Sequence, residues 1–328
     1  MSTLLASLPA LPAIGRRVRA YFAPVDRVHR QPTLFDPAVN GQFALDAPPA
    51  PWIDLGWIEE FTRKSASKFG DLITGSPATT QFQVRQTIDA TVVFRFKTWS
   101  KLSMALAAGS EHMNLIAPAA GSTSNASGTK GIAPVSLTSG STASFLAMSA
   151  ADAASFAAGA LVTVDVDYTG QTGYVGSGVA AAYVQNAAAV NNDADYIRRV
   201  SFNVARVASV AAGSAPGLQL AQPLIAGVPT AGMRVQPIVG FVDREGGSFF
   251  QEWSALFAIA GEQGERILFH YPRLQAMSGS AEAATALAAP LERIALSASF
   301  RALPVTDAND GAQVVCFRSF LPGGNTLV

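Results

Sequence analysis

The sequence is short of charge. Only 14% of its 328 residues are Asp, Glu, Lys or Arg, against roughly 25% in typical soluble domains. The 23 basic residues balance the 23 acidic ones, so the formal net charge at pH 7 is zero. This balance argues against a dedicated nucleic-acid binder, whose affinity would depend on neutralising phosphates. Because little self-repulsion keeps copies of the chain apart, the composition favours association.

Cysteine and histidine are also scarce. The single cysteine, Cys316, excludes an internal disulfide framework and any zinc or iron–sulfur site built from several cysteines. The three histidines, His29, His112 and His270, are far apart in the sequence and form no H-E-x-x-H motif. We therefore expect no metal and no cofactor.

Long hydrophobic runs are missing as well. The best candidate for a membrane span, residues 143–162, contains Asp152 and several serines, so no span is expected. The apolar stretch at residues 4–14 has its arginines after it, which is the reverse of a secretory signal. We expect a protein that is made in the cytoplasm of its cell.

Residues 1–50 contain repeated prolines and five arginines between positions 16 and 30, among them Arg16, Arg17 and Arg19. Because proline lacks a backbone donor, such a segment is not expected inside a sheet. Three interpretations remain open: a partly disordered tail, an arm that orders against a neighbouring subunit, and a segment that contacts DNA. The disordered tail and the subunit arm are preferred to DNA contact, and Arg16, Arg17 and Arg19 are candidate subunit contacts.

The clearest signal is an alternation over residues 82–96. Most even positions are apolar and are expected to face a core: Phe82, Val84, Ile88, Ala90, Val92 and Phe94. Most odd positions are polar: Gln83, Arg85, Thr87, Asp89 and Thr91. A period of two predicts a strand, and at about 3.3 Å per residue it would span roughly 50 Å, far more than usual. The polar Gln86 on the apolar side allows a bend that divides the strand.

Other segments complete a mainly β chain in four parts: an arm at 1–50, a main domain in two halves at 51–139 and 239–328, and an inserted small β domain at 140–238. Before the long strand we expect a strand at 52–61 and a loop at 70–80. After it we expect a short helix from Trp99, with Thr98 as N-cap and Gly109 at its end. An Ala-, Gly-, Ser- and Thr-rich stretch at 117–141 reads as a linker.

Strand patterns continue to the end of the chain. The inserted domain is expected to contain strands at 161–168, 200–210 and 233–242. Residues 249–259 fit a strand or a helix, and the strand is preferred; a hairpin turn at 261–264 leads to a strand at 266–271. Two further strands, 291–303 and 313–320, are expected to be joined by the Asn-Asp-Gly turn at 309–311.

No set of residues composes an active site. Residues 176–181 match the degenerate dinucleotide motif G-x-G-x-x-A, but no strand leads directly into the first glycine, so a glycine-rich loop is preferred. Asp165 and Asp167 share a face of a predicted strand and are interpreted as its solvated side rather than a metal or catalytic pair. Cys316 is interpreted as a small core residue. No serine lies in G-x-S-x-G, and we do not expect an enzyme.

Two charged groups remain as candidate subunit contacts. Asp243, Arg244 and Glu245 precede two glycines in a predicted turn, and Arg273 follows a Tyr-Pro pair. Either group fits an intersubunit salt bridge or ordinary solvated charge.

Three regions together resemble tail tube proteins (major tail proteins) of long-tailed bacteriophages. The first is Trp52-Ile53-Asp54-Leu55-Gly56-Trp57 with residues 61–68, the long strand and residues 99–113. The second runs from Asp243-Arg244-Glu245-Gly246-Gly247 to Tyr271-Pro272-Arg273-Leu274. The third is residues 296–320, including Phe300-Arg301-Ala302-Leu303-Pro304 and Asp310-Gly311. They cover a little over half of the chain and leave out the inserted domain.

The resemblance implies a β-sandwich or barrel that forms hexameric rings, stacked into a virion tail tube through which genomic DNA passes without tight binding. It implies other tail proteins as partners: a baseplate or initiator component and, if the tail is contractile, a sheath. The odd residues of the long strand, from Gln83 to Thr91, would then face either the lumen or solvent, and they are candidate lumen residues. Another virion structural protein, such as a capsid, decoration, tail terminator or connector component, is the alternative.

Overall fold

The computed structural model of the protein describes residues 17–26, 29, 31–116, 132–165, 182–183, 198–245, 251–261, 264–277, 281–283 and 295–323. The chain forms two compact units. The first contains Met1–Val25, Arg30–Gly109 and Gln251–Val328, and the second contains Asp26–His29 and Ser110–Phe250. The insertion into the first unit is therefore larger at both ends than the expected 140–238.

The described residues form eighteen strands, three short helices and one π-helical turn at Arg198–Phe202. The helices are α1 (Pro37–Asn40), α2 (Lys101–Ala108) and α3 (Ala150–Ala153). The strands are β1 (Val18–Pro24), β2 (Ile53–Thr74), β3 (Thr79–Phe96), β4 (Glu111–Ile116), β5 (Val135–Ser136), β6 (Phe145–Ala147), β7 (Leu161–Asp165), β8 (Ala182–Tyr183), β9 (Val204–Ala211), β10 (Gly217–Leu220), β11 (Arg234–Arg244), β12 (Glu252–Ala260), β13 (Arg266–Ala276), β14 (Ala281–Ala283), β15 (Ala295–Ala302), β16 (Val305–Thr306), β17 (Gln313–Val314) and β18 (Phe317–Leu321).

The first unit is built on an antiparallel sheet with the strand order β14-β15-β3-β2-β1-β12-β13-β18. Strand β15 pairs with β13 as well as with β3. The six strands from β15 to β13 therefore close into a barrel, and β14 and β18 extend the sheet beyond the closure. The expected fold class, mainly β with long strands and a sandwich or barrel, is confirmed.

Aromatic rings fill the interior of the barrel. Phe22, Phe94, Phe257 and Phe300 come from four different strands and are at most 1% exposed. The centroids of their contacting rings lie between 5.5 and 6.3 Å apart. Most of these pairs meet edge to face, which is a favourable geometry for aromatic quadrupoles. Burial of these rings supplies much of the driving force for closing the barrel.

Residues 31–52, here called the outer segment, pack on the outside of the barrel. Side chains alternate along β1, so Phe22 points inward and Tyr21 points outward. Tyr21 is fully buried there in a second apolar cluster with Phe35 and Trp52. Its hydroxyl donates a hydrogen bond to the carbonyl oxygen of Leu45 at 2.7 Å.

The expectation that residues 1–50 form an arm is wrong for the described part. Strand β1 lies between β2 and β12 in the interior of the sheet, and the outer segment packs against the barrel through Phe35 and Trp52. Pro24 is the last residue of β1, so its missing N–H does not interrupt the middle of the strand. The partners of β1 lie far along the chain, and a local pattern cannot reveal them.

The second unit has its own sheet, in the order β6-β10-β9-β7-β11-β4-β8, with β5 paired to β11. An apolar cluster covers one side and includes Leu146, Val162, Val164, Val207, Leu218 and Val235. Strand β4 pairs with β11, which places residues 111–116 in this sheet. Strand β4 precedes the predicted linker, so the second unit begins earlier in the chain than the start of the inserted domain that was predicted from composition.

Several local expectations need correction. Helix α2 has Ser100, not Thr98, as its N-cap: the Ser100 hydroxyl accepts a hydrogen bond from the Ser103 backbone N–H at 3.0 Å. Gly109 ends this helix in the left-handed conformation, as expected. The predicted loop at 70–80 is mostly strand, and the turn at 309–311 joins β16 to β17 rather than two long strands. Residues 252–260 form a strand, and β12 pairs with β13 across the expected hairpin.

Candidate functional site

Strands β2 and β3 run far beyond the barrel. Strand β1 pairs with β2 only as far as Ile58, and β15 pairs with β3 only between Thr91 and Phe96. Past these limits, among the described residues, the two strands pair only with each other, as far as Thr74 and Thr79. Residues 64–89 thus form a two-stranded projection, here called the distal hairpin. An isolated two-stranded hairpin is marginally stable at best in water.

Large apolar side chains are exposed on the distal hairpin. Six of them are between 38% and 56% exposed: Phe69, Leu72, Ile73, Phe82, Val84 and Ile88. The expectation that Phe82, Val84 and Ile88 face a core is therefore wrong, whereas Ala90, Val92 and Phe94 are buried as expected. The chain supplies no second layer over the hairpin within the part that the structure describes.

An extra residue in β3 divides the hairpin. Thr87 lies opposite Lys68, but Arg85 lies opposite Phe69, so Gln86 is bulged out of the ladder. Because residues 68 and 69 are consecutive in β2, their side chains point to opposite faces, and their partners do the same. The Arg85 guanidinium lies 5.8 Å from the centroid of the Phe69 ring, as expected for side chains on one face.

The bulge distributes the predicted lumen residues over two faces. The first face carries Thr87, Asp89 and Thr91 together with Lys64, Lys68, Leu72, Phe82 and Val84. The second face carries Gln83 and Arg85 together with Phe69, Asp71, Ile73 and Ile88. The expectation that all five residues share a face is wrong, because one inserted residue exchanges the two sides of a strand. Each face holds three of the exposed apolar side chains.

Gly70 provides the space for this bulge. It lies on the first face, opposite Val84, and a side chain at this position would collide with the amide of Gln86. The polar side chain of Gln86 therefore lies over Gly70, where the neighbouring strand has no side chain of its own. The sequence placed Gly70 in a loop because Gly75-Ser76-Pro77 follows shortly after it.

The first face carries one ion pair and two lysines for which the described residues provide no ion pair. The Arg301 guanidinium lies 3.3 Å from a carboxylate oxygen of Asp89, and both side chains are more than half exposed. Lys64 is opposite Thr91, and Lys68 is opposite Thr87. Within the described residues, no salt bridge is found for either lysine. The first face is therefore apolar near its tip and weakly cationic nearer the barrel.

A second irregularity lies where the hairpin leaves the barrel. The register between β2 and β3 shifts between Glu59 and Thr62, and Glu60 adopts the left-handed conformation with φ of 54°. A residue with a Cβ atom pays a steric cost in this region. The Glu60 carboxylate meets the Arg95 guanidinium at 2.8 Å. The irregularity therefore lies at the root of the projection, and bulges of this kind commonly bend a strand.

Two of the candidate subunit contacts are already engaged within the first unit. Arg19 forms a two-pronged salt bridge with Asp54, with its Nε 2.9 Å from one carboxylate oxygen. Arg273 binds Glu252 in the same way, at 2.8 and 2.9 Å, and also donates to the carbonyl oxygen of Pro304 at 3.0 Å. Their guanidinium groups therefore stabilise the barrel strands and are not free to bind a neighbour.

The remaining candidates lie elsewhere. Asp243 and Arg244 belong to β11 in the second unit, not to a turn, and the Ser110 hydroxyl donates a hydrogen bond to Asp243. Glu245 and Arg17 are exposed. Arg16 lies outside the described residues. The described candidates are therefore divided between the two units: Arg17, Arg19 and Arg273 belong to the first, and Asp243, Arg244 and Glu245 belong to the second.

The carboxylate predicted to be solvated is buried. Asp165 is 0% exposed, and Arg198 of the π-helical turn lies 3.1 Å from one of its carboxylate oxygens. The prediction assumed a wet outer face of β7, but the π-helical turn packs on that side. Asp167 and the glycine-rich motif at 176–181 lie outside the described residues.

Cys316 contacts polar groups at the edge of the barrel. Arg63 donates a hydrogen bond from Nε to the Tyr271 hydroxyl at 3.0 Å, and the Cys316 thiol interacts with both residues. Burial raises the pKa of the Cys316 thiol above its ordinary value, and it raises the pKa of Tyr271 to about 12. Both groups stay protonated at neutral pH, which does not favour a nucleophilic role.

Sequence reasoning missed the apolar residues on the β2 side of the hairpin: Phe69, Leu72 and Ile73. A signal for them exists, since Gly75-Ser76-Pro77 is flanked on both sides by strand-like residues, which is a hairpin pattern. Within the described residues, no group of three or more His, Cys, Asp or Glu side chains is close enough to hold a metal ion. No helix in that same part of the chain is long and apolar enough to cross a membrane.

A comparison with protein-family models finds no match for this chain, and a search of curated proteins finds none either. The distal hairpin is therefore interpreted from its own geometry.

Proposed function

We propose that this chain is a structural protein that assembles with copies of itself through the distal hairpin. The observation that carries the proposal is the exposure of large apolar side chains on both faces of a projection that no other described element covers. A monomer gains nothing from such a projection, whereas neighbouring copies would bury both faces. The zero net charge supports close association.

Within this class, we propose a tail tube protein of a long-tailed bacteriophage. The closed barrel, the overlong hairpin and the short helix after it fit the tube subunit that the sequence resembles. The subunits would form six-membered rings that stack into a hollow tube in the virion tail. Partners would be an initiating or baseplate component and, in a contractile tail, a sheath.

The first face is the side of the hairpin proposed to line the bore near the barrel. It continues the outer side of β3 and β15, where small and polar residues alternate with the charged pairs described above. Genomic DNA would pass without tight binding, because fixed cations that neutralise phosphates add salt-dependent affinity. Pairing of Asp89 with Arg301 cancels one positive charge on this face. A neutral bore would also require carboxylates of a neighbouring copy next to Lys64 and Lys68.

The experiment compares assembly of the natural chain with that of the double variant Leu72→Asp, Phe82→Asp. These side chains are opposite each other on the first face, so two carboxylates there should prevent burial against a neighbour. We expect rings or tubes of the natural chain by negative-stain microscopy, alone or with an initiating partner, and monomers of the variant by light scattering.

A matched control is Val228→Asp, which changes an exposed apolar residue of the second unit that is outside the hairpin. It should assemble like the natural chain, and far-ultraviolet circular dichroism should be the same for all three proteins. A natural chain that stays monomeric at high concentration with its tail partners present would refute the proposal. Normal tubes from the double variant would show that assembly uses another surface.

A further inference from the structure

We propose that the distal hairpin of one copy binds the outer segment, residues 31–52, of a second copy. This inference rests on the proposed function and identifies the surface that receives the hairpin. Both surfaces belong to the first unit of the chain. The partner is therefore another copy of the same protein. One copy contributes its distal hairpin to the contact, and the other contributes its outer segment.

The outer segment is held rigidly enough to serve as a receptor. The Thr33 N–H donates to the Ser254 hydroxyl at 2.9 Å, and a ring nitrogen of His270 lies 3.3 Å from the Thr33 carbonyl oxygen. Farther along, the Arg266 guanidinium donates to the carbonyl oxygens of Gly41 and Phe43. The backbone is thus fixed to β12 and β13, and a partner binding to it would meet little ordering cost.

Its exposed side chains are apolar. Leu34 is 63% exposed and Val39 is 77% exposed, although Phe35 between them is buried against Trp52. These two side chains stand on a fixed backbone, five residues apart, with no apolar cover among the described residues of their own unit. An apolar surface on a rigid frame is typical of a binding site.

The charges of the two surfaces are complementary. The distal hairpin carries three cations, Lys64, Lys68 and Arg85, and two carboxylates, Asp71 and Asp89. Asp89 is paired with Arg301, so the hairpin retains three positive charges and one negative charge, a balance of +2.

The outer segment contains Asp36 and Asp46 and no Lys or Arg, a balance of −2. The Arg266 guanidinium of β13, bound to Gly41 and Phe43, reduces the balance of this surface to −1. Contact between two hairpins, or between two outer segments, would bring like charges together, which costs free energy. Contact between a hairpin and an outer segment pairs opposite charges and covers the apolar residues of both. A contact between two different patches is heterologous, and such contacts build closed rings or open stacks rather than simple dimers.

The test mixes two single-cysteine proteins of different tag length, each in a Cys316→Ser background that removes the natural thiol. One carries Val39→Cys and the other carries Leu72→Cys. After assembly and mild oxidation, we expect the mixed disulfide dimer to exceed either homodimer several-fold on a non-reducing gel. The matched control replaces Val39→Cys with Val228→Cys, an exposed position in the second unit.

Each outcome decides the question. A dominant dimer between two Leu72→Cys chains would mean that hairpins bind each other, and a dominant dimer with Val228→Cys would move the receptor to the second unit; both overturn the inference while the proposed function stands. Assembled rings with no mixed dimer overturn it in the same way. If the natural chain forms no assembly by microscopy, the proposed function itself has failed and the inference falls with it.

Discussion

The two halves of β3 have the same alternation in sequence but opposite environments. Between Ala90 and Phe96, each even residue is at most 3% exposed, because the barrel closes over it. Between Thr79 and Asp89, every residue is exposed. A period of two therefore indicates that one side of a strand is suited to burial. It does not indicate whether the same chain or a neighbouring copy covers that side. The distal half exposes the kind of side chain that the barrel half buries, and the proposed assembly rests on this difference.

The largest expected difference between the halves is in stability. Phe94→Ala should lower the free energy of unfolding by about 3–5 kcal/mol, because it leaves a cavity among the packed rings of the barrel. Phe82→Ala, in the exposed half, should change it by less than about 0.5 kcal/mol in the monomer. Urea unfolding of the two variants checks this, and a similar loss in both would mean that the distal half is already covered in the monomer.

The pH dependence of stability should also separate the barrel from the hairpin. Burial lowers the pKa of His270 to about 4, whereas an unfolded histidine titrates near 6.5. The folded chain holds His270 neutral, so its contribution is fully present above pH 6.5 and is lost as the pH falls from 6.5 towards 4. The total loss is about 3 kcal/mol.

Urea unfolding across this range measures the loss of stability. His270→Gln removes the titrating group and should flatten this part of the profile, while the hairpin variant Phe82→Ala should leave it unchanged. A natural chain with constant stability between pH 6.5 and 4 would contradict the buried neutral state of His270.

The junction between the two halves can be tested at Glu60. Glu60→Val should destabilise the chain by about 1–2 kcal/mol, because a β-branched residue tolerates the left-handed conformation poorly. Glu60→Gly accepts this conformation and loses only an exposed ion pair with Arg95, so its change should stay below about 1 kcal/mol. Thermal unfolding compares them. Equal melting temperatures for the two variants would indicate that the root bulge relaxes.

Substitutions on the first face should have the smallest effect on stability and a specific effect on function. Thr87→Lys with Thr91→Lys places new cations opposite Lys68 and Lys64. Like charges opposite each other at these exposed positions should cost only about 0.2–0.5 kcal/mol per pair, so the chain should still fold and form tubes. In a phage that carries both lysines, DNA passage should slow through salt-dependent attraction to phosphates. Unchanged infectivity would show that this face does not line the bore.

Local pattern predicted much of the fold but little of the site. The alternation of Val92 and Phe94 and the cap glycine at Gly109 are short-range signals, and both agree with the structure. The sequence did not reveal that Arg19 and Arg273 are paired within the chain. Their partners, Asp54 and Glu252, lie 35 and 21 residues away, and only the pairing of strands brings them together. A sequence window cannot show that a charge is already neutralised.

Composition and a period of two along one stretch of chain were enough to predict the mainly β class, the neutral charge and the overlong two-sided strand. The position of β1 inside the sheet, and the bulge at Gln86 that sends Arg85 and Thr87 to opposite faces, are visible only in the folded chain. The same is true of the exposure of Phe82 and the burial of Phe94, because register and burial depend on partners distant in sequence. A single unpaired residue reverses the two sides of a strand without altering its composition.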